Sequence, residues 1–352
     1  MAPKIMYDNL ISDEDYLTAS SDRPGIVTNV IKEGTGGAIM QSLGDYTGNL
    51  TNQYTIEIDS IAGGQNVGEA TFSWIDSFGN GGDGILTSTS ETSLNYGVSI
   101  QFVESSSDDF ELGDKWYFKA INYYRPGQMI NYDRDTRYRS SGLDNPNWIE
   151  IDFGSAQSIT CFCLIDHNFT DSAIVTLQAN DNSDSTAWDS PPFEEVLTVD
   201  GQTIYKVFSA VSYRYWRLEI DDNGNPDAYI EIGEIFLGNQ LTINDYKYGD
   251  NNNRSALLSN DRVRSGVRKI MYHNTNRVIS IVLNNPSESD RDTLWDLFDS
   301  ISSKANMQLK PFFLYINSAL YYVILDEIPS RSYTYNVFSI SLTFDEVLTS
   351  RT

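Results

Sequence analysis

The stretch Asn147-Trp148-Ile149-Glu150-Ile151-Asp152-Phe153-Gly154 decides the fold of this chain. Apolar and polar side chains alternate along it, and a glycine ends it. That is the period of a strand with one face on a core and one on solvent, and it sends Ile149, Ile151 and Phe153 to the same side. Downstream the pattern recurs in Ile174-Val175-Thr176-Leu177-Gln178-Ala179, in Tyr213-Arg214-Tyr215-Trp216-Arg217-Leu218-Glu219-Ile220 and in Tyr229-Ile230-Glu231-Ile232. Upstream it recurs in Tyr54-Thr55-Ile56-Glu57-Ile58-Asp59, Ala70-Thr71-Phe72-Ser73-Trp74, Val98-Ser99-Ile100-Gln101-Phe102 and Trp116-Tyr117-Phe118-Lys119-Ala120. Loops rich in Gly, Ser, Asn and Asp separate these runs, the glycine-rich 78–84 among them. Many short strands between turn signals predict antiparallel sandwiches. One is drawn at 42–122, and a second series of strands runs from about 147 to 240.

The last third reads differently. Pro286 followed by Ser287-Glu288-Ser289-Asp290 is a helix start, with Ser287 as N-cap and acids in the first turn. Leu294, Leu297, Phe298 and Ile301 then recur at helical spacing, so one helix is expected over about 288–304. Strands flank it at 277–283, 312–316, 320–325 and 337–344, with a turn at Asn317-Ser318. One helix on an antiparallel sheet makes an α+β module over 241–352.

The 352 residues hold 49 acidic and 24 basic side chains, a net charge of −25. Residues 1–240 hold 37 acidic and 12 basic, while 241–352 hold 12 of each, so the imbalance sits in the first two thirds. So acidic a chain is a poor binder of nucleic acid, which needs clustered Lys and Arg, and of anionic membrane surfaces. The N-terminus lacks the apolar core of a signal peptide, and no run suits a membrane span. Two His and two Cys argue against zinc enzymes and disulfide scaffolds. Cys161 and Cys163, two apart in a strand, share a face and read as packing residues. A reducing cytosol is the expected place of synthesis.

Five patches resemble the discoidin, or coagulation factor 5/8 C-type, domain over about 126–240. They are Asp135-Thr136-Arg137-Tyr138-Arg139-Ser140, the 147–154 strand, His167-Asn168, Tyr215-Trp216-Arg217-Leu218 and Ile232-Gly233-Glu234-Ile235-Phe236-Leu237-Gly238. Asn9-Leu10-Ile11 and Leu17-Thr18-Ala19-Ser20-Ser21 resemble the same family's opening. The resemblance implies a jelly-roll sandwich over 1–41 plus 123–240, with the 42–122 sandwich inserted in it. Arg23-Pro24-Gly25 before the insert and Arg125-Pro126-Gly127 after it echo one another. Insertion at an exposed loop costs little, because loop closure grows only logarithmically with length. Three domains in series are the alternative.

The insert, with Ala70–Trp74 and 110–116, and the C-terminal region, with Trp295, Phe298, Pro311-Phe312-Phe313 and 342–348, resemble bacteriophage tail and baseplate proteins. This second resemblance implies a virion protein assembled in host cytoplasm, without enzyme activity. Its partners would be copies of itself and other tail proteins, with Arg254, Arg262, Arg264, Arg268 and Lys269 docking acidic surface on a neighbour. The competing expectation is a host-surface glycan binder.

Catalytic signals are thin. Ser-His-Asp chemistry needs a positioned His, and His167 reads as a loop-packing residue while His273 has no evident partners. Gly79–Gly84 carries no Lys and opens no helix, so it is no phosphate loop. No cofactor is required. The discoidin resemblance implies a structural calcium held by Asp133, Asp135, Thr136 and Glu234, since calcium takes hard oxygen ligands. Against it, Asp135 capping a turn and Glu234 paired with an Arg read equally from the residues. Sugar binding needs exposed rings, and Tyr123, Tyr124, Tyr132 and Trp188 are the candidates, with Trp188 open to exposure or packing. Trp148 and Trp216 are expected in the core.

Overall fold

The computed structural model describes residues 3–48, 50–105, 108–144, 146–199, 201–243, 246–248, 253–262, 268–284, 288–301, 310–325, 332–334 and 337–347. The chain is mainly β, as its alternating patterns predict. It divides into two compact units: Met1–Ser21 with Pro126–Thr352, and Asp22–Arg125. None of its helices is long and apolar enough to cross a membrane, among the described residues.

In the first unit a jelly-roll sandwich is built on two 19-residue strands, Asn147–Ile165 and Thr203–Asp221, paired antiparallel along their length. Register shifts between Asp152 and Gln157 and between Ile159 and Cys161 bend the pair, as bulges do. The sheet continues through Ile174–Asn180 to Phe193–Leu197 on one side and through Glu234–Gly238 on the other. Leu17–Ala19 pairs with 149–151, and Tyr138–Arg139 pairs with Glu231–Ile232. The inward set is the one the period names: Ile149, Ile151 and Phe153 meet Trp216, Leu218, Val175 and Leu177 in one buried cluster. Each such buried side chain contributes roughly 1.5–3 kcal/mol of hydrophobic stabilisation.

The C-terminal module is a large antiparallel sheet crossed by one helix, Glu288–Ile301. Leu294, Leu297 and Phe298 bury its apolar stripe against Ile279, Ile281, Phe312, Leu314 and Phe344. Ser287, the expected N-cap, lies outside the described residues. Asn317 and Ser318 both take positive φ, 52° and 62°. That is the turn that suits the twist of a two-residue hairpin, here joining Phe312–Ile316 to Ala319–Leu325.

Two boundaries differ from the sequence reading. The inserted unit begins at Asp22, not at residue 42, because Ile26–Val27 and Ile31–Glu33 both pair with Lys115–Ile121. It ends at Arg125, so each border falls beside a copy of the Arg-Pro-Gly triplet. The N-terminal Lys4–Met6 does not join the jelly roll. It forms a strand of the C-terminal sheet, between Leu241–Thr242 and Phe312–Ile316. The chain therefore starts in the C-terminal module, and 241–352 is not independent of what precedes it.

The second unit packs a sheet of Ile26–Val27, Ile31–Glu33, Lys115–Ile121, Asn52–Ser60, Thr71–Asp76 and Gly81–Leu86 against Ile39–Gly44, Val98–Val103 and Thr92–Ser93. Its core is aromatic, with Tyr54, Phe72, Phe102, Phe110, Trp116 and Phe118 together. The glycine-rich 78–84 segment is not all loop, because Gly81–Leu86 is an edge strand. A Cβ at Gly81 would stand 2.5 Å from the Trp74 carbonyl oxygen, so only glycine lets that strand close in.

Candidate functional site

Across the outer face of the jelly-roll sheet, opposite its core, the registers set side chains in rows. One row runs Glu150, Arg217, Gln178, Glu194, and the next runs Trp148, Glu219, Thr176, Val196. Trp148 is thus on the outer face and only half-buried, not in the core where the alternating run suggested it; Trp216, one residue before Arg217, is fully buried. The single helical turn Ser185–Trp188 lies beside this face, held by the Asn180 amide, which donates 2.9 Å to the Ala187 carbonyl.

Arg217 is stacked between two indoles. Its Cζ lies 4.9 Å from the Trp148 ring centre and 5.5 Å from that of Trp188. Burial lowers the Arg217 pKa, against the pull of Glu219 and Glu150. Burial likewise raises Glu150, which Arg217 partly offsets. Three polar atoms here are buried without a hydrogen-bond partner: Arg217 Nε, Trp188 Nε1 and Gln178 Oε1. Each such atom costs about 1–3 kcal/mol while it stays unpaired. Beside them Arg214 makes a bidentate pair with Asp152, at 2.7 and 2.8 Å, and stacks over Tyr215.

The four aromatics singled out from the sequence divide between the two units. Trp188 is 5 % exposed, a cover over Arg217 and not an open ring. Tyr123 and Tyr124 belong to the inserted unit, where Tyr123 is exposed and Arg23 lies over Tyr124. Tyr132 is exposed but is covered on one face by Lys310 at 5.3 Å. Trp148, half-buried beside Arg217, is not in the core where the clean alternation of its neighbours points. The parity of the same run, read outward from Ile149 and Ile151, is the signal that finds it.

The expected calcium residues also part company. Glu234 is 2 % exposed, the backbone N–H groups of Asp133 and Tyr132 lie against its carboxyl, its Oε1 has no hydrogen-bond partner, and no Arg pairs with it among the described residues. Burial pushes its carboxyl up to about 8, the two N–H groups pull it down, and Asp133 and Asp166 push it up again. Asp133, not Asp135, caps the turn: its Oδ1 accepts from the Asp135 N–H at 3.0 Å. Its carbonyl takes the N–H and the hydroxyl of Thr136. Asp133 Oδ1 and the Asp133 carbonyl are thus occupied by protein donors, Glu234 Oε1 is buried without a hydrogen-bond partner, and calcium takes six to eight oxygens. Among the described residues no three His, Cys, Asp or Glu are grouped to hold a metal. The donor set therefore does not fit the ion.

That patch is instead a seam. Cys161, Cys163, Ile165 and Phe236 turn away from the jelly-roll core and bury against Met6, Phe313 and Tyr322 of the C-terminal sheet. The two free thiols sit 3.8 Å apart, packing residues as their spacing suggested. His167 is buried, stacked 4.2 Å from Phe169, and burial lowers it to about 4 although Asp166 and Asp222 pull it up, so it stays neutral. Of the residues expected to dock a neighbour, Arg254 and Arg262 lie in the strand Asn253–Arg262, and Arg268 and Lys269 open the strand paired with it. Their side chains, and Arg264 altogether, lie outside the described residues.

No family model matches the chain, and no curated protein matches it. Solved structures similar to part of it include carbohydrate-binding modules. Chitosan-binding module 1 of a chitosanase/glucanase from Paenibacillus sp. IK-5 is 19 % identical, with 34 % of this chain and 88 % of that module covered and a TM-score of 0.28. The family 32 module of NanJ from C. perfringens, in complex with galactose, is 12 % identical, with 34 % and 88 % covered and a TM-score of 0.27. The family 32 module of AlyQ, in complex with 4,5-unsaturated mannuronic acid, is 20 % identical, with 32 % and 84 % covered and a TM-score of 0.24.

Proposed function

We propose that this is a non-catalytic carbohydrate-binding protein whose ligand face is the outer side of the jelly-roll sheet around Trp148 and Arg217. The observation that carries the reading is the Trp148–Arg217–Trp188 stack with its three unpaired polar atoms. A sugar offers an apolar face of C–H bonds and a rim of hydroxyls. The C–H face suits the open part of Trp148. A hydroxyl donates and accepts at once, so it suits a site holding both an orphan acceptor, Gln178 Oε1, and orphan donors, Arg217 Nε and Trp188 Nε1. Trp188 covers Arg217 from a single turn of four residues beside this face. The expected role as a tail subunit has no structural observation behind it.

Isothermal titration of the full chain against soluble polysaccharides, one neutral, one acidic and one of amino sugar, tests this. Saturable binding to at least one is expected, weakened at least about tenfold in Trp148→Ala by loss of a stacked ring. Absence of binding across the panel, or binding indifferent to both Trp148→Ala and Arg217→Met, overturns it.

A further inference from the structure

One element of the C-terminal sheet runs out beyond it. The strand Arg268–Asn284 pairs with Val337–Glu346 and with Tyr246–Tyr248 only through its residues 278–284. Its first part, 268–277, pairs with Asn253–Arg262 and, among the described residues, with no other strand. At about 3.3 Å per residue this two-stranded arm reaches roughly 30 Å past the sheet. A register shift between Leu257 and Leu258 bends it on the way.

A two-stranded hairpin with no third strand or helix against it is marginal in water. The register of this one adds to the cost. Arg262 stands opposite Arg268 on the last rung, and Arg254 opposite Arg277 near the sheet. Like charges on one rung disfavour the pairing. Arg277 has an outlet at the base of the arm, where it donates to the Tyr321 hydroxyl at 2.6 Å. Within 253–262 and 268–276 the basic residues are Arg254, Arg262, Arg268 and Lys269, and the one acid is Asp261. The arm therefore carries +3 on a chain of −25, and the residues outside it carry −28. What steadies the arm must supply negative charge.

The same chain holds a surface of that kind. Between Arg139 and Lys206 stand eleven acidic residues and no Lys or Arg. Asp171, Asp181, Asp184, Asp189 and Glu194 of this stretch are exposed, and among the described residues no Lys or Arg side chain pairs with them. Asp181, Asp184 and Asp189 lie on the connection from Ile174–Asn180 to Phe193–Leu197, with Glu194 just beyond it.

We infer that the arm docks on a second copy of this chain, with its Arg262–Arg268 end against the acidic 181–194 segment of that copy. Charge complementarity selects the partner and the place on it. A few carboxylates match a net of +3. A phosphate backbone does not, because its binding needs many clustered Lys and Arg contacts. The arm also gains from the contact what it lacks alone, since neighbouring carboxylates offset the two arginines of its last rung.

Sedimentation velocity of the full chain over a wide concentration range tests this, with no carbohydrate added. Concentration-dependent self-association is expected. Two double variants divide the interface: Arg262→Glu with Arg268→Glu on the arm, and Asp184→Lys with Asp189→Lys on the acidic segment. Each alone should raise the dissociation constant at least about tenfold, as unpairing charges at an interface does. An equimolar mixture of the two should associate again, because each arm then meets a segment of opposite sign. Thermal melting reports whether each variant folds, and the Asp184 and Asp189 changes, at exposed positions, carry the test if the arm variant does not. A wild-type chain that stays monomeric throughout overturns the inference. So does association that survives both double variants, or a mixture that stays apart. Duplex DNA bound by a monomeric chain, and released by the arm variant, would give the arm to a polyanion instead and overturn it as well.

Discussion

Arg134 grips Asp166 with two parallel bonds, Nε to Oδ2 at 2.6 Å and Nη2 to Oδ1 at 2.7 Å. Arg134 also donates to the Val347 carbonyl, in the C-terminal module. One guanidinium therefore ties the jelly roll to the neighbouring sheet, and Asp166 keeps only 4 % of its side chain exposed. Removing Arg134 leaves a carboxylate stranded at the seam. Arg134→Met should cost about 3 kcal/mol in equilibrium urea unfolding, the range for breaking one side of a buried pair. Arg214→Met removes an equally close bidentate pair with Asp152, but both side chains there are about 40 % exposed, and solvent screens them. The same measurement should find it nearly neutral.

The inserted unit should be sensitive to acid through Asp76. Burial works against its charge, but the amides of Asn80, Asn52 and Asn95 outweigh it and hold the carboxyl down at about 2. A carboxyl lowered on folding stabilises the fold above its unfolded pKa, and that contribution is lost as pH falls from about 4 to 2. The loss is on the order of 2 kcal/mol. Asp76→Asn should unfold at similar urea concentrations at pH 5 and pH 2.5 where wild type does not. An equal pH slope in both proteins would remove Asp76 as the cause.

Glu234 acts in the opposite sense. Its carboxyl is raised to about 8, so folded Glu234 holds its proton at pH values where the unfolded chain has lost it. Its contribution is full below the unfolded pKa, near 4.5, and declines as pH rises through 8. Glu234→Gln, which keeps the shape and no charge, should flatten the fall in stability between pH 5 and pH 9. A steeper fall in the variant would contradict the assignment.

The seam also predicts how a truncation behaves. Deleting 241–352 uncovers Cys161, Cys163 and Phe236, whose cover includes Phe313 and Tyr322, and takes away the sheet partners of Lys4–Met6. The fragment 1–240 should react with a thiol reagent within the mixing time, while the full chain should resist it. Thiols equally slow in both would show that the jelly roll closes that face alone.

A chelator should leave the melting midpoint of the full chain where it is, because among the described residues no three His, Cys, Asp or Glu are grouped to hold an ion. A downward shift on chelation, reversed by calcium, would show that the 131–136 loop rearranges around an ion.

Much of this was legible in local pattern. Period two named Ile149, Ile151, Leu218 and Leu177 as one core, because strand geometry alone assigns alternate side chains to a face. Helical spacing found Leu294, Leu297 and Phe298, and the repeated Arg-Pro-Gly lies beside both borders of the insert. The site was legible only in parts. Trp188 reads from its loop as either exposed or packed and is buried, while Tyr123 and Tyr132 are exposed.

Alternation along the chain thus determined which side each strand residue takes, since that is a property of the backbone itself. It could not determine what lies on the other side, because covering a face takes residues far away in the chain. Cys161 and Cys163 are buried because Phe313 and Tyr322 arrive over them, Arg217 is enclosed because Trp188 folds across it, and Glu234 holds its proton because the seam excludes water. Those three environments exist only once the sheets have met.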